Sequence, residues 1–251
     1  MAKRRKRSPV ELKPVEPHMC DIPLRLKILQ RLPFFTSLTA QEITEINTLF
    51  REVGFEAQES IYHAGDPAIR LYVVAAGIVK IMRHALNGQE ILLDILTSGE
   101  FFGSLSLTDD DTYSDTAIAQ TAACTLSISK SDFRSILARY PTVALAILDI
   151  TSKRLHEAHE TIRQISAHTV EERTAHTLVK LAEKLGEPHD VGLLIQTPLS
   201  REDLAGMVSS TPESVSRIIS QFQKADLIDT GRQWIAITNL PRLREVANIS
   251  D

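Results

Sequence analysis

Apolar residues recur at helical spacing through residues 199–224 with one interruption, which predicts two short helices joined by a tight turn. Ser200 is the expected N-cap of the first helix and Thr211 that of the second. Pro212 takes the first helical position, where a missing N–H costs nothing. The apolar face of the second helix comprises Val215, Ile218, Ile219 and Phe222. Its opposite face therefore carries Glu213, Ser216 and Arg217 together.

A hairpin pattern follows the second helix. Residues 225–237 contain a short apolar strand, a turn with Gly231 and an alternating strand, which predicts a wing beside that helix. A helix that presents polar side chains near its start, with a second helix behind it, suits the reading of base edges in a major groove. The alternative is a helical hairpin whose charged face is only solvated. The candidate DNA-contacting residues are Arg201, Ser210, Thr211, Glu213, Ser214, Ser216 and Arg217.

Residues 34–138 alternate short apolar segments with turn residues. Leu71–Val74, Ile78–Met82 and Ile91–Leu96 are predicted strands, and Asn87-Gly88 is a strong signal for a hairpin turn. Short strands at regular intervals predict a jelly-roll-like β domain.

A long helix is predicted from Pro141 to His168, and a second one over Val170–Leu185 that ends at Gly186. The long helix carries an apolar seam, and charged residues flank it on both sides. The seam comprises Leu148, Thr151, Leu155, Ala158, Ile162 and Ile165. A seam that repeats every seven residues is expected of a helix that pairs with a copy of itself. The alternative is a helix that lies on the core of its own domain.

These patterns predict an α+β chain in four parts. We expect a disordered basic tail over 1–20, a β-roll sensor domain over 21–140, a dimerisation helix over 141–168 and a winged helix-turn-helix domain over 169–251. The tail contains the basic run 3–7 (KRRKR), which either adds to DNA affinity or only keeps the tail solvated.

The composition limits the classes of function. With 251 residues, of which 43% are hydrophobic and 24% charged, the chain can bury two ordinary cores. We expect no membrane association, because no apolar segment approaches the roughly 18 residues of a membrane helix. The basic start lacks the apolar segment of a secretory signal. Two cysteines are too few for a secreted disulfide scaffold, so a cytoplasmic location is expected.

The charge balance is unusual for a protein that binds nucleic acid. The net charge is −4, whereas DNA-binding domains are mostly basic. Residues 198–234 contain the cations Arg201, Arg217, Lys224 and Arg232 against the acids Glu202, Asp203, Glu213, Asp226 and Asp229. DNA affinity must therefore come from a few well-placed cations and from a dimer.

A β-roll, a long pairing helix and a winged helix-turn-helix, in this order, resemble the CRP/FNR superfamily of bacterial transcription regulators. The resemblance covers residues 20–245 and rests on four segments: YHAGDPAIRLYVVAAGIVKI (62–81), GEFFG (99–103), VEERTAHTLVKLA (170–182) and EDLAGMVSSTPESVSRIISQFQKADLI (202–228). It implies a homodimer that binds double-stranded DNA, with RNA polymerase as a partner. One departure is Ser209, because the turn between the two helices usually contains a glycine with positive φ.

The effector site departs further from the family pattern. Members that bind cyclic AMP carry Gly-Glu and then Arg-Ser, whose Glu binds the ribose hydroxyl and whose Arg pairs with the cyclic phosphate. Here Gly103 is followed by Ser104, and residues 109–115 (DDDTYSD) are acidic where the Arg-Ser pair belongs. An acidic loop repels a phosphate that needs a guanidinium partner. We therefore expect no cyclic AMP binding, and the effector is left unidentified.

The two cysteines, Cys20 and Cys124, suggest a different chemistry. An iron–sulfur cluster of the FNR type needs four thiolates, so it is excluded. The resemblance implies that the two cysteine-bearing regions come close, which makes these residues a candidate redox pair. The interpretation that we favour from the residues alone is a tail thiol and a small buried core residue.

Haem is a further alternative, because some relatives bind it. The chain has eight histidines, and His18, His63, His84, His156 and His159 lie in no spacing that dictates an axial ligand. The order of the cluster 156–160 (HEAHE) is not HExxH, so we expect no metal site and assign these side chains to a solvated helix face.

The polar face of the second helix predicts which bases are read. Arg217 can donate two hydrogen bonds to guanine, and Glu213 can accept from cytosine. Pro212 stands where cyclic-AMP-dependent relatives carry an Arg that reads an outer guanine, and Ser216 resembles the serine of FNR-type proteins that favours thymine. We therefore expect a TTGA-like inverted repeat with half-sites about one helical turn apart.

An enzymatic activity is not expected, because the chain contains no nucleophile elbow, phosphate-binding glycine loop or metal-hydrolase spacing. The alternative function is a ligand- or haem-binding sensory module, or an enzyme, that does not act through DNA.

Overall fold

The computed structural model describes residues 8–11, 20–84, 90–104 and 111–249. Contacts between residues divide the chain into two compact units. The β unit contains the described residues of 20–83, 93–104 and 111–157, and the helix-turn-helix unit contains those of 8–11, 84, 90–92 and 158–249. The turn predicted at Asn87-Gly88 lies outside the described residues.

Short helices flank the strands of the β unit. α1 (Ile22–Arg31) and α2 (Ala40–Asn47) precede the strands, and α3 (Lys130–Arg139) follows them. The strands are β1 (Arg51–Phe55), β2 (Ser60–Tyr62), β3 (Arg70–Ala76), β4 (Val79–His84), β5 (Glu90–Leu96), β6 (Phe101–Gly103), β7 (Thr116–Ala119) and β8 (Ala123–Ser129). They form two four-stranded sheets in the orders β1-β8-β3-β6 and β2-β7-β4-β5. The predicted jelly-roll-like sandwich is observed.

The side chains of β3 alternate between two cores, as the pleat of a strand requires. Leu71 and Val73 join a core with α1, α2 and α3, whereas Tyr72 and Val74 join a core that also contains residues of the second sheet. The first sheet is therefore covered by helices on one face and by the second sheet on the other.

The helices around these sheets were not predicted from the pattern. The interval 34–138, for which we expected strands, includes α2 and most of α3. A local signal for α2 was present, because Thr39 and Glu42 form a reciprocal capping box at its start.

Two helices connect the sheets to the C-terminal part of the chain. α4 (Pro141–Ala167) and α5 (Val170–Leu185) agree with the predicted bounds to within one residue. Thr169 caps α5, with Glu172 completing a capping box. Within the described part of the chain, no helix is both long and apolar enough to span a bilayer.

The helix-turn-helix unit combines short helices with one sheet. After α5 come β9 (Gly186–His189), β10 (Gly192–Ile195), α6 (Arg201–Met207), α7 (Pro212–Lys224), β11 (Ile228–Gly231), β12 (Trp234–Ile237) and α8 (Leu240–Val246). The strands form an antiparallel sheet in the order β11-β12-β10-β9. The wing predicted over residues 225–237 is observed as β11 and β12, and the β9–β10 hairpin was not predicted.

Candidate nucleic-acid interface

The two helices of the motif begin where the capping residues place them. The Ser200 side chain accepts a hydrogen bond from the N–H of Asp203, and the Thr211 side chain accepts one from the N–H of Ser214. Pro212 occupies the first turn of α7, as predicted. These contacts satisfy backbone donors that a helix start leaves free, so local sequence determines where α7 begins.

α7 is strongly amphipathic. Its apolar residues Val215, Ile218, Ile219 and Phe222 are buried. Glu213 and Arg217 lie one helical turn apart and are exposed, whereas Ser216 is half-buried. An exposed carboxylate beside an exposed guanidinium is a donor–acceptor pair that can contact the edges of neighbouring base pairs.

The other residues predicted to contact DNA have partners within the motif. Arg201 donates from Nη2 to Oγ1 of Thr230 in the wing at 3.3 Å, and partial burial lowers the pKa of its guanidinium. Thr211 Oγ1 lies 3.2 Å from Ser214 Oγ as well as capping the helix. Ser210 is half-buried in the turn. The structure thus leaves Glu213 and Arg217 as the exposed charged groups among the residues selected from the sequence.

The turn between α6 and α7 contains one left-handed residue. Ser209 has φ 50°, a left-handed conformation that a glycine, the residue expected in this turn, adopts without strain. Arg173 of α5 donates from Nε to the carbonyl oxygen of Val208 at 2.9 Å and from Nη2 to that of Ser209 at 3.4 Å. A side chain that the sequence analysis did not select therefore binds the carbonyl groups of the turn.

The wing turn depends on a close approach of Trp234 to Gly231. A Cβ atom on Gly231 would lie within van der Waals overlap of the indole ring, so this position accommodates no larger residue. The left-handed residue of the turn is Gln233, with φ 61°, rather than the glycine. Gly231 is therefore required because the indole ring leaves no room for a Cβ atom, and not because of its φ angle.

The seam of α4 is exposed in the chain. The large seam residues Leu148, Leu155, Ile162 and Ile165 have 43–65% of their surface accessible. Thr151 and Ala158, the smaller residues of the predicted seam, are exposed as well. A stripe of large apolar side chains in water marks an interaction surface.

Arg154 connects α4 to the β sandwich through contacts with Phe101. Its guanidinium lies 4.0 Å from the centre of the Phe101 ring and donates to the Phe101 carbonyl oxygen at 3.1 Å. Burial lowers its pKa, and nearby Asp94 and Glu100 oppose that shift. From the sequence, Arg154 is only one of the charged residues that flank the seam, because nothing in its spacing distinguishes it from its solvated neighbours.

The two cysteines form a disulfide in the structure. Cys20 and Cys124 are joined through their sulfurs, with Cα atoms 6.6 Å apart, and both residues are buried. The interpretation that we favoured is therefore wrong for Cys20, which is bonded and buried rather than a stray tail thiol, whereas Cys124 lies in the core as expected. Cys20 and residues 8–11 lie in the interval for which a disordered tail was expected, and both make defined contacts. A 104-residue separation left no local signal for the pairing.

Glu52 is the third polar group at the disulfide. Its Oε1 accepts a hydrogen bond from the N–H of Cys20 at 3.3 Å. One ligand atom from each of Cys20, Glu52 and Cys124 lies within 4.8 Å of the others, an arrangement that could hold a metal ion. While the sulfurs are bonded to each other they are not thiolates, the form that binds metals.

Aromatic rings fill the interior of the sandwich near the Gly103 segment. The rings of Tyr62 and Tyr113 stack with centroids 3.8 Å apart, and those of Tyr72 and Phe102 with centroids 5.3 Å apart. The Tyr62 hydroxyl donates to Asp115 Oδ1 at 2.8 Å. Burial, and then the charge of Asp115, raises the pKa of Tyr62, so this phenol stays a neutral donor.

The described part of the acidic segment, residues 111–115, makes hydrogen bonds within the β unit. Ser104 Oγ donates to Asp111 Oδ2 at 2.6 Å, and the Tyr113 hydroxyl donates to the carbonyl oxygen of Arg70 at 3.0 Å. Asp109 and Asp110 lie outside the described residues. The Ser104 hydroxyl is thus bonded to a carboxylate of the acidic segment.

Within the described residues, the candidate group of three metal-ligating side chains is that of Cys20, Glu52 and Cys124, and it includes none of the histidines considered as haem or metal ligands. His63, His84, His156 and His159 are exposed, and His18 lies outside the described residues.

Comparison with known proteins agrees with this architecture. The family described as "Cyclic nucleotide-binding domain" matches residues 52–140, and the family described as "Crp-like helix-turn-helix domain" matches residues 172–246. The chain is 26% identical to the CRP-like cAMP-activated global transcriptional regulator of Mycobacterium tuberculosis over 217 residues, which cover 86% of the chain and 97% of the relative. It is 28% identical to the cyclic AMP receptor protein of Thermus thermophilus, over 86% of the chain and 96% of the relative.

Solved structures share the fold. FixK2 from Bradyrhizobium japonicum superimposes with a TM-score of 0.69 at 23% identity and covers 78% of this chain and 96% of its own. A β sandwich of the cyclic-nucleotide-binding class followed by a Crp-like helix-turn-helix defines a transcription regulator rather than an enzyme. The chain thus combines a cyclic-nucleotide-binding domain with a Crp-like helix-turn-helix domain, and its relatives are transcription regulators of the CRP/FNR family.

Proposed function

We propose that the chain acts as a homodimer that binds an inverted repeat in double-stranded DNA, with α7 in the major groove. The observation that carries the proposal is the exposure of Glu213 and Arg217 on α7, opposite a face that is completely buried. A short helix with this polarity, held by a second helix and a wing, is the geometry that reads base edges.

The side chains of α7 favour a TTGA-like half-site. Arg217 donates to guanine O6 and N7, and Glu213 accepts from cytosine N4, which together specify adjacent G·C pairs of opposite sense. Pro212 has no side-chain donor, so an outer guanine is not required. Ser216 lies on the same face, and its side chain favours a thymine at the neighbouring position.

The proposed dimer is formed along α4. Large apolar residues of the seam are exposed in one chain, and a second copy of the same helix presents the same residues at the same seven-residue spacing. Pairing places two copies of α7 in register with a palindromic site. We propose RNA polymerase as the further partner, as the family resemblance implies.

The β unit is proposed to sense something other than cyclic AMP. Stacked tyrosines occupy the interior beside Gly103, and the segment that follows is acidic. The disulfide between Cys20 and Cys124 is the candidate sensing group. Disulfides are rare in the cytoplasm, which we propose as the location, and those present there are mostly transient and catalytic or redox-sensing.

Selection from random DNA tests the proposed sequence preference. The expected product is an inverted repeat of TTGA-like half-sites about one helical turn apart. Recovery of TGTGA half-sites would refute the roles of Pro212 and Ser216. No enrichment of any sequence would refute sequence-specific DNA binding.

Gel shifts with diamide-treated and dithiothreitol-treated protein test the proposed sensor. We expect the two forms to differ in DNA affinity, and Cys124→Ser to abolish the difference. Equal affinities of the two forms would make the disulfide purely structural. The ultraviolet–visible spectrum of the purified protein is the control for haem, since a Soret band would replace the thiol proposal with a haem-based one.

A further inference from the structure

Glu52 and Cys124 lie side by side on one face of the first sheet. In the β1–β8 pair, Gly54 is opposite Cys124 and Glu52 is opposite Leu126. Opposite residues of an antiparallel pair share a face, and so do residues two apart on one strand. Glu52 therefore stands diagonally beside Cys124, on the face whose core includes α1, α2 and α3. Gly54 places no side chain between them.

Cys20 joins this pair from the segment that precedes α1. Its N–H donates to Glu52 Oε1 at 3.3 Å, and its sulfur is bonded to that of Cys124. One ligand atom from each of the three residues lies within 4.8 Å of the other two. Both cysteines are buried, whereas Glu52 is half-buried. Three metal-binding side chains from separate segments thus converge at one point.

Reduction of the disulfide turns this group into a set of metal donors. Cleavage of the S–S bond takes up two electrons and two protons and yields two thiols, whose thiolate forms bind metals. In zinc sites the Zn–S distance is about 2.3 Å and the Zn–O distance about 2.0–2.2 Å, so tetrahedral ligand atoms lie roughly 3.5–4 Å apart. Atoms that already lie within 4.8 Å of one another reach these separations by rotation of the released side chains.

The donor atoms select the class of metal. Two thiolates and a carboxylate suit Zn²⁺, whereas Mg²⁺ and Ca²⁺ take six or more oxygen ligands. Three protein ligands leave the fourth tetrahedral position to water, and the half-exposed Glu52 gives solvent a route to it. A dication also offsets the negative charges of the donors, which would be costly in the apolar core around the two cysteines.

We propose that the reduced protein binds one zinc ion per chain, through Sγ of Cys20, Sγ of Cys124 and the carboxylate of Glu52. The two thiol protons pass to solvent as the Zn–S bonds form. The metal and the disulfide use the same sulfurs, so each excludes the other. This site goes beyond the proposed function and rests on it only in requiring that the disulfide can open. The expectation of no metal site rested on the spacing of histidines, and ligands from three separate segments leave no such spacing.

Titration of the reduced, full-length protein with Co²⁺ and then Zn²⁺ tests the site. Reduction with dithiothreitol is followed by removal of the reductant under nitrogen. We expect one Co²⁺ per chain, with a thiolate-to-cobalt charge-transfer band and the strong visible bands of a tetrahedral ion, which Zn²⁺ then removes. Protein oxidised with diamide should show neither band. Absence of the charge-transfer band from the reduced protein, or its presence in the oxidised protein, would overturn the proposal.

Glu52→Gln isolates the third ligand. This variant keeps both sulfurs and an acceptor for the Cys20 N–H but lacks the carboxylate. Competition with a chromophoric chelator should show zinc affinity weakened by at least about tenfold, since removal of a group that only supports a metal ligand already costs this much. Glu56→Gln, an exposed position just after β1, is the matched control and should keep the affinity. Equal affinities of the two variants would exclude Glu52 as a ligand.

The cysteine ligands are tested by Cys20→Ala and Cys124→Ala, of which either suffices if the other does not fold. Both variants should lose the charge-transfer band of the Co²⁺ form. A band that survives in a folded variant would place the metal elsewhere.

Oxidation of the zinc-loaded protein tests whether metal and disulfide exclude each other. Diamide, a diazene, takes two electrons from the thiolates and two protons from water, and becomes a hydrazine as the S–S bond forms and zinc leaves. We expect zinc to slow disulfide formation, and a chromophoric indicator to detect one released Zn²⁺ per disulfide. Mg²⁺ in place of zinc should not change the rate. An unchanged rate with zinc retained by the oxidised protein would contradict the shared site.

Thiol counts and gel shifts separate this proposal from the redox sensor. If dithiothreitol exposes no thiols in the folded protein, the sensor and the metal site fail together. If two thiols appear and DNA affinity changes on reduction, but no metal binds, only the metal site fails. If zinc binds and DNA affinity is the same in the oxidised, reduced and zinc-loaded forms, the site is supported and the sensor fails.

Discussion

The Nε of Arg173 donates to the carbonyl oxygen of Val208 at 2.9 Å, in the turn between α6 and α7. The same guanidinium donates from Nη1 to the carbonyl oxygen of His168 at 2.7 Å. One side chain of α5 therefore joins the segment that follows the seam helix to the motif that is proposed to bind DNA. A planar guanidinium with five N–H groups is suited to this geometry, and an ammonium is not.

Arg173→Lys is expected to destabilise the helix-turn-helix unit by about 2–3 kcal/mol. An ammonium cannot replace the guanidinium at both His168 and the α6–α7 turn, so the carbonyl oxygen of one of them loses a charged donor. Urea unfolding followed by the emission of Trp234 measures the change. Arg232→Lys in the exposed wing turn is the matched control and should leave the midpoint unchanged. Coinciding unfolding curves for the Arg173→Lys variant and the unaltered protein would show that the contact is not stabilising.

Arg217→Ala is expected to weaken binding to the selected sequence by about 1–3 kcal/mol and to relax the choice of base at the guanine. The affinities for the selected probe and for a probe altered at that guanine measure both effects. Lys224→Ala, at the exposed end of α7, is the control and should weaken both probes equally or not at all. Retained discrimination by the Arg217→Ala variant would assign the guanine contact to another residue.

Leu155→Glu is expected to dissociate the dimer, because pairing would bury a carboxylate against its symmetry mate at a cost of several kcal/mol. Sedimentation equilibrium gives the oligomeric state, and a gel shift gives the effect on DNA binding. His156→Glu makes the same change in charge at the neighbouring exposed position, which lies off the seam, and should remain dimeric. A stable Leu155→Glu dimer with unaltered DNA binding would refute the proposed seam.

His176 is expected to make the stability of the helix-turn-helix unit dependent on pH. Burial, and then Lys180, lowers its pKa below the usual 6.5, whereas Glu160 and Glu183 oppose the shift and His168 adds to it. Its Nε2 lies 2.9 Å from the amide nitrogen of Gln164, which can only donate, so the ring nitrogen accepts and the folded state holds the neutral form.

As pH falls below 6.5, the unfolded chain therefore binds a proton that the folded chain does not, and the free energy of unfolding decreases. Above this pH the group contributes no pH dependence. Urea midpoints between pH 5 and 8 should fall toward the acid end, and His176→Gln should flatten this part of the profile. His189→Gln, at an exposed position, is the control. An unchanged profile in the His176→Gln variant would assign the pH dependence to other groups.

The sequence predicted the helix-turn-helix with its capping residues because these signals are local. Ser200, Thr211 and Pro212 act within one helical turn, and the buried face of α7 follows from a period that a single segment contains. The long helices α4 and α5 were predicted for the same reason. The short helices α1 to α3 were missed, because a helix of 8–10 residues beside a sheet shows little of its period.

By itself, therefore, the sequence determined the succession of β-rich part, long helices and helix-turn-helix, the caps and polar face of α7, and the apolar seam of α4. Only the tertiary structure decided which distant groups meet: the sulfur of Cys20 with that of Cys124, Val10 with Trp234, and Arg173 with the carbonyl groups of the α6–α7 turn. The physical reason is that caps and periodicity act through neighbouring residues, whereas these pairings depend on how separate segments pack around a common core.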